Sequence, residues 1–227
     1  MNAVTEYLER AGLSGLVPPD LVAACRDTLQ EVAAATAVPV ELEALYHYPV
    51  PLLGEGGACS LVNQLAPEPY DLRQVLKAGP ATEYRLAVLN ALVEVTQQRA
   101  AIGWLGVYQA RTSRSGRALI KLAYRGKPSR AEFPLTEEFA AYSNNSTVGL
   151  TGQARLIADV GAHQRQGGSY YNCDPAVQSE ACLPLLDQAG RVVGILDGED
   201  SRLDRFTDTP LAWLAGLALV AVQWLPE

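Results

Sequence analysis

The sequence predicts an α/β fold of the α+β kind: an antiparallel β-sheet flanked by helices, behind a helical N-terminal extension. Three observations predict it. Two β-prone apolar runs, 102–110 and 118–124, follow one another across the polar turn 112–116 with no helix between them, which excludes a dinucleotide-binding βαβ unit. Two more, 181–186 and 191–196, flank Asp187-Gln188-Ala189-Gly190, a hairpin signal in which the glycine supplies the turn. Helical periods bracket both hairpins: Leu86, Leu89, Leu92 and Val93 share one face of 82–98, and 211–225 is apolar nearly all round.

Taken in order, residues 5–11 form a short amphipathic helix. Pro18-Pro19-Asp20 opens a longer one carrying Leu21, Val22, Cys25, Leu29 and Val32 at helical spacing. Residues 42–46 add a turn or two. Prolines and glycines between 48 and 69 exclude long regular elements there. The domains are therefore 1–80, a helical and irregular N-terminal extension, and 81–227, the sheet domain. Thr82 is expected to cap the next helix. After the first hairpin come a short strand at 130–135, a short helix from Thr136, a loop at Ser143-Asn144-Asn145-Ser146, a helical turn within 148–154 and a strand at 156–160. Thr209 is expected to cap the last helix, with Pro210 in its first position. That helix must be buried in the fold or against a second subunit, so a homodimer is expected.

Composition bounds function. The chain has 227 residues, 48% hydrophobic and 19% charged, as a globular protein has. A net charge of −7 and a pI near 4.9 exclude nucleic acid and anionic membrane as partners. No signal peptide is evident at 1–10, and 211–225 is too short to span a bilayer, so a cytoplasmic location is expected. The four cysteines, Cys25, Cys59, Cys173 and Cys182, show no CxxC spacing, and the two histidines, His47 and His163, are far apart. A metal site is not expected, and the cysteines are expected as thiols. Cys25 lies on an apolar stripe and reads as a core thiol; Cys59 lies beside a glycine-rich turn.

The chemistry gathers between 169 and 201. Tyr170-Tyr171-Asn172-Cys173-Asp174-Pro175 fits neither period, so Cys173 is expected on a loop. Asp197 and Glu199, two apart on a strand, share a face. Depending on hairpin register, Glu180 falls opposite Asp197 or opposite Glu199. Either register gathers three carboxylates, a site for a cation such as a substrate ammonium or for a raised carboxyl pKa. The plainer reading is a solvated strand end running into an acidic loop, Glu199, Asp200 and Asp204.

These residues carry a resemblance. Ser179-Glu180 leading a strand, Gly190-Arg191-Val192-Val193-Gly194-Ile195-Leu196-Asp197, and Leu203-Asp204-Arg205-Phe206-Thr207 before a last helix resemble the end of a GAF domain. Trp104-Leu105-Gly106-Val107-Tyr108 and Tyr124-Arg125-Gly126-Lys127-Pro128 resemble signatures of one branch, the free methionine-(R)-sulfoxide reductases. The matches run from about Tyr84 to Leu225. The resemblance implies a GAF-type sheet and reduction of free L-methionine-(R)-sulfoxide by a loop cysteine, which becomes a sulfenic acid, is captured by a second cysteine and is regenerated by thioredoxin. It implies Cys173 as the attacking cysteine, Glu180, Asp197 and Glu199 as substrate-binding acids, Glu199 in place of an aspartate, and Trp104 and Tyr108 as aromatic pocket walls. Where the family has its other redox cysteines this chain has Arg130 and Leu150, and the loop from Asp159 to Cys173 is longer than usual. Resolution would then fall to Cys182, Cys59 or an external thiol, with no cofactor beyond thioredoxin or another thiol reductant.

Two readings compete with the reductase. One is a GAF module that binds an amino acid or another small cationic metabolite without turnover. The other is a thiol redox sensor at Cys173, tuned by His163 in the same loop. Asp174 after Cys173 argues against bilin attachment, and no NKFDE-type pattern marks cyclic-nucleotide binding.

Overall fold

The computed structural model describes residues 3–54, 64–114, 116–171 and 174–227. Two helices, α1 (Ala3–Arg10) and α2 (Pro19–Ala35), precede a short α3 (Glu43–Tyr46), which runs into β1 (His47–Tyr48), paired with β2 (Tyr70–Asp71). Then follow α4 (Pro80–Ala100), β3 (Trp104–Ser113), β4 (Gly116–Arg125), β5 (Glu132–Pro134), α5 (Glu137–Ala140), α6 (Asn144–Thr151), β6 (Arg155–Ile157), α7 (Val160–Arg165), β7 (Ser179–Leu186), β8 (Val192–Asp200) and α8 (Asp208–Ala221). The main sheet is antiparallel throughout, in the order β5-β4-β3-β8-β7-β6.

The hairpin turn decides where the acids stand. Asp187 N donates to Arg191 O at 2.9 Å and Gly190 N to Asp187 O at 2.8 Å, with Gly190 at φ 78. This is a three-residue loop closed by a left-handed glycine. With the register shift at Leu185 and Leu186 it sets Glu180 opposite Glu199, the second of the two registers open from the sequence.

Helices cover both faces of the sheet. Leu105, Val107, Ile120, Leu122, Ala181, Leu183 and Leu196 point to the face covered by α4 and α8, and α2 packs on the far side of α8. Val4, Leu8, Val22 and Leu29 belong to that same continuous core. The last helix is thus buried inside its own chain: Leu211, Leu214, Leu217 and Val220 are each at most 1% exposed. Its apolar surface therefore does not argue for the expected homodimer. Gly216 is what lets α2 approach, since a Cβ there would lie 2.9 Å from Arg26 N and 3.1 Å from Cys25 Cβ.

Several element expectations need correction. Thr82 does not cap α4: Gly79 precedes the helix and Pro80 opens it, where its missing N–H costs nothing, while Thr82 Oγ1 donates back to Lys77 O at 2.8 Å. The expected loop Ser143-Asn144-Asn145-Ser146 is instead the cap and first turn of α6. Ser143 Oγ accepts from Ser146 N at 3.3 Å, and the two asparagines find tertiary partners that outweigh their preference for turns. Val160 belongs to α7 and not to a strand. Thr209 and Pro210 lie inside the first turn of α8, behind the N-cap Thr207. Glu199 and Asp200 stand in β8 rather than in an acidic loop. A short helix does start at Thr136 as expected, and Thr136 caps it, accepting from Phe139 N at 3.2 Å.

Candidate ligand-binding site

The second face of the sheet is built in rows. Ile157, Glu180, Glu199 and Trp104 lie across β6, β7, β8 and β3; the next row is Arg155, Cys182, Asp197, Gly106 and, on β4, Tyr124. Antiparallel pairing puts these side chains on one face. Gly106 beside Asp197 is essential to this arrangement, because a Cβ there would overlap Trp104 Cη2; the indole fills the space the glycine leaves. Between Val107 and Tyr108 the register shifts, so that Leu122 is extra in β4 and both Lys121 and Tyr124 come to the site face.

Glu180, Asp197 and Glu199 converge, with one oxygen from each lying within 4.8 Å of the others. At an effective dielectric of about 20, each pair of charges so close repels by roughly 3 kcal/mol. Burial pushes all three carboxyls up from their ordinary range, and their mutual repulsion adds to the rise at Asp197 and Glu199. Glu199 is pushed up to about 8, by burial first, then by Glu180 and Asp174. The acids are held from α6: Asn144 Nδ2 donates to Glu180 Oε2 at 3.1 Å and Asn145 Nδ2 to Asp197 Oδ2 at 3.0 Å. The Tyr170 hydroxyl is also hydrogen-bonded to Glu180. Two oxygens, Asp197 Oδ1 and Asn145 Oδ1, are buried without a partner among the described residues. Their residues line a cavity of about 20 Å³ together with Glu180, Glu199, Asn144, Ser143, Phe133, Tyr170 and Tyr171.

Glu199 also borders a pocket of about 230 Å³ walled by Trp104, Pro128, Ser129, Val177 and the ion pair of Lys127 with Asp174, 2.7 Å apart. Beneath this wall Lys121 is fully buried. Its Nζ donates to Ser129 O at 2.7 Å and Ser129 Oγ at 2.9 Å, and stands 4.1, 5.0 and 5.8 Å from the ring centres of Tyr124, Tyr48 and Trp104. Burial drives its pKa well down, against the pull of Glu199 and Asp197.

The structure brings together Glu180, Asp197, Glu199 and Trp104. Tyr108 lies a row deeper, 1% exposed, its ring centre 6.5 Å from that of Trp104, and supports the wall rather than lining either space. Cys182 shares the face of Glu180 but is 0% exposed, and its thiol is pushed well up by burial and by Asp197 and Glu180. Cys173 and Cys59 lie outside the described residues. His163 is in α7, its Nε2 3.3 Å from Ser169 O. Arg130, expected from the resemblance to replace one redox cysteine, stacks 4.8 Å from the Phe139 ring centre and donates to the Tyr171 hydroxyl at 2.9 Å. Leu150, expected to replace another, is 39% exposed on α6. Sequence reading missed Asn144, Asn145, Lys121 and Tyr170. Only Lys121 carried a signal, a lone charge inside an apolar strand.

The family model described as GAF domain matches residues 86–223. The chain belongs to the GAF domain family. Among solved structures, a type II free methionine-R-sulfoxide reductase from Thermoplasma acidophilum resembles this GAF protein with a TM-score of 0.54 at 20% identity, over 64% of this chain and 94% of the other. A putative GAF sensor protein from Burkholderia vietnamiensis does so with a TM-score of 0.50 at 19% identity, over 90% of this chain and 87% of its own. At these identities the likeness is one of fold. No curated protein matches in sequence. Among the described residues of this GAF protein, no helix is long and apolar enough to cross a membrane.

Proposed function

We propose that this GAF domain binds a small organic cation, a free amino acid or another primary amine, with its ammonium held by Glu180, Asp197 and Glu199. The observation that carries the reading is the convergence of three carboxylates from two strands on one cavity. An ammonium there offsets their repulsion and supplies the donors that Asp197 lacks. The neighbouring pocket, with Trp104 in its wall, suits an apolar side chain and argues for an organic ligand rather than a bare ion. A thermal-shift screen of free amino acids, methionine sulfoxide and small amines tests it. Stabilisation by amines that is lost in Asp197→Asn supports the reading; stabilisation by none of them sinks it.

A second reading keeps the same pocket and adds turnover, reduction of free L-methionine-(R)-sulfoxide by Cys173. It is favoured by chain proximity, since Cys173 stands two residues after Tyr171 of the cavity wall and one before Asp174 of the larger pocket. The Cys173 sulfur would attack the sulfoxide sulfur, the oxygen leaving the substrate with the thiol as sulfenic acid, and two electrons from an external thiol or thioredoxin would return the enzyme to the thiol. Cys182, buried and hard to ionise, is a poor resolver, so an external thiol fits better. Turnover with dithiothreitol that disappears in Cys173→Ser supports this step; binding without turnover leaves a sensor module. A homodimer and a cytoplasmic location remain part of the proposal, to be read from sedimentation and fractionation.

A further inference from the structure

Resting on the amine-binding reading, we propose that Asn145 is a fourth recognition group of the carboxylate cavity and makes it selective for a primary ammonium over an N-methylated one. Asn145 is the second residue of α6, and its amide nitrogen donates to Asp197 Oδ2 at 3.0 Å. With Asp197 ionised, as an ammonium beside it requires, that bond fixes which way the amide faces, because the reverse orientation would set a carbonyl oxygen against a carboxylate. The amide oxygen is therefore committed to the other side, where it has no partner among the described residues; neither has Asp197 Oδ1. The two residues are only 5% and 3% exposed, so water at the surface does not serve these oxygens. The two residues that carry these unpaired acceptors, one on a helix and one on a strand, line a single cavity, and this pattern is that of a site for a donor.

The size and bonding of the cavity narrow that donor. A volume of about 20 Å³ takes one water-sized group and no more. Water would bring two donors and no charge. A primary ammonium brings three N–H donors and one positive charge in the same space. Glu180 already accepts from Asn144 and from Tyr170 and holds the ammonium chiefly by its charge, so the three N–H donors fall to Asp197 Oδ1, Asn145 Oδ1 and the Glu199 carboxylate. Each N-methyl group would remove one donor and add a carbon the cavity cannot hold. Asn144, by contrast, is a positioning residue, orienting Glu180 through its amide nitrogen.

The test separates head group from tail by titrating n-butylammonium and n-butyltrimethylammonium chlorides into wild type, Asn145→Ala, Asn145→Asp and Asn144→Ala, each shown folded by circular dichroism. Wild type is expected to favour the primary amine by 100-fold or more. Asn145→Ala is expected to lose about 10- to 100-fold for the primary amine, as a hydrogen bond to a charged group is removed, and to bring the ratio of affinities below about ten. Asn145→Asp keeps an acceptor in place and should hold the ratio while moving the pH midpoint of binding upward. Asn144→Ala should weaken both ligands alike. If Asn145→Ala does not fold, Asn145→Ser, too short to reach the cavity, takes its place. An unchanged ratio in Asn145→Ala, or in Asn145→Ser where that replaces it, overturns this proposal alone; no binding of either amine by wild type overturns it together with the reading on which it rests.

Discussion

Glu199 is the residue on which pH should act. Its carboxyl is pushed up to about 8, first by burial and then by Glu180 and Asp174, whereas in an unfolded chain a glutamate titrates near 4.3. The folded state holds this proton more tightly, so the stability it contributes is complete below the unfolded value and is lost as pH rises through about 8. Glu199→Gln, a neutral stand-in for the protonated acid, should therefore gain Tm over wild type between pH 6 and pH 9, by roughly several degrees. Lys121, whose lowered pKa gives the opposite slope, loses the pull of Glu199 in the variant, which lowers it further and widens the gap in the same direction. A gap that does not widen would show that Glu199 titrates as an exposed acid. The three acids were legible in the sequence because a strand period of two fixes their face whatever the register. Asn145 was not, and Lys121 showed only as a lone charge in an apolar strand, since one owes its place to a helix cap and the other to a bulge, both of which depend on tertiary partners.

At the scale of elements, the contact of α2 with α8 turns on Gly216. Alanine there would favour the helix by about 1 kcal/mol, but the new Cβ would meet Arg26 N at 2.9 Å, a backbone atom that cannot step aside without moving α2. Overpacking of this kind costs about 1–3 kcal/mol. Gly216→Ala should therefore lower stability in urea denaturation by about 1 kcal/mol; a gain in stability would mean that the helices are free to separate. Both hairpins and the two long helices of the sheet domain could be read from period and turn residues. The boundaries that failed, at α4, α6 and α8, did so because proline, asparagine and threonine each suit more than one position near a helix start.

Across the whole molecule, the extension is not a loose appendage. Val4, Leu8, Val22 and Leu29 share one core with α4 and α8, and Tyr7 donates to Pro184 O at 3.0 Å. The domain boundary drawn at residue 80 marks the start of α4, yet it cuts no gap in that core. A chain shortened to 81–227 should lose the wild-type thermal transition and aggregate, because the outer side of α8 would face water; a soluble fragment with an unchanged transition would show that the GAF domain stands alone. The fold class was legible because the order of strands and helices is local information. The function of residues 1–80 was not, because covering α8 is a property of the assembled helices and leaves no motif. The central claim is that three carboxylates hold a cationic head, and calorimetric titration of n-butylammonium chloride into wild type and Asp197→Asn at pH 8 tests it most directly. Saturable binding by wild type, weakened at least about tenfold in the folded variant, is the expected result; equal binding by both proteins, or binding by neither, would contradict it.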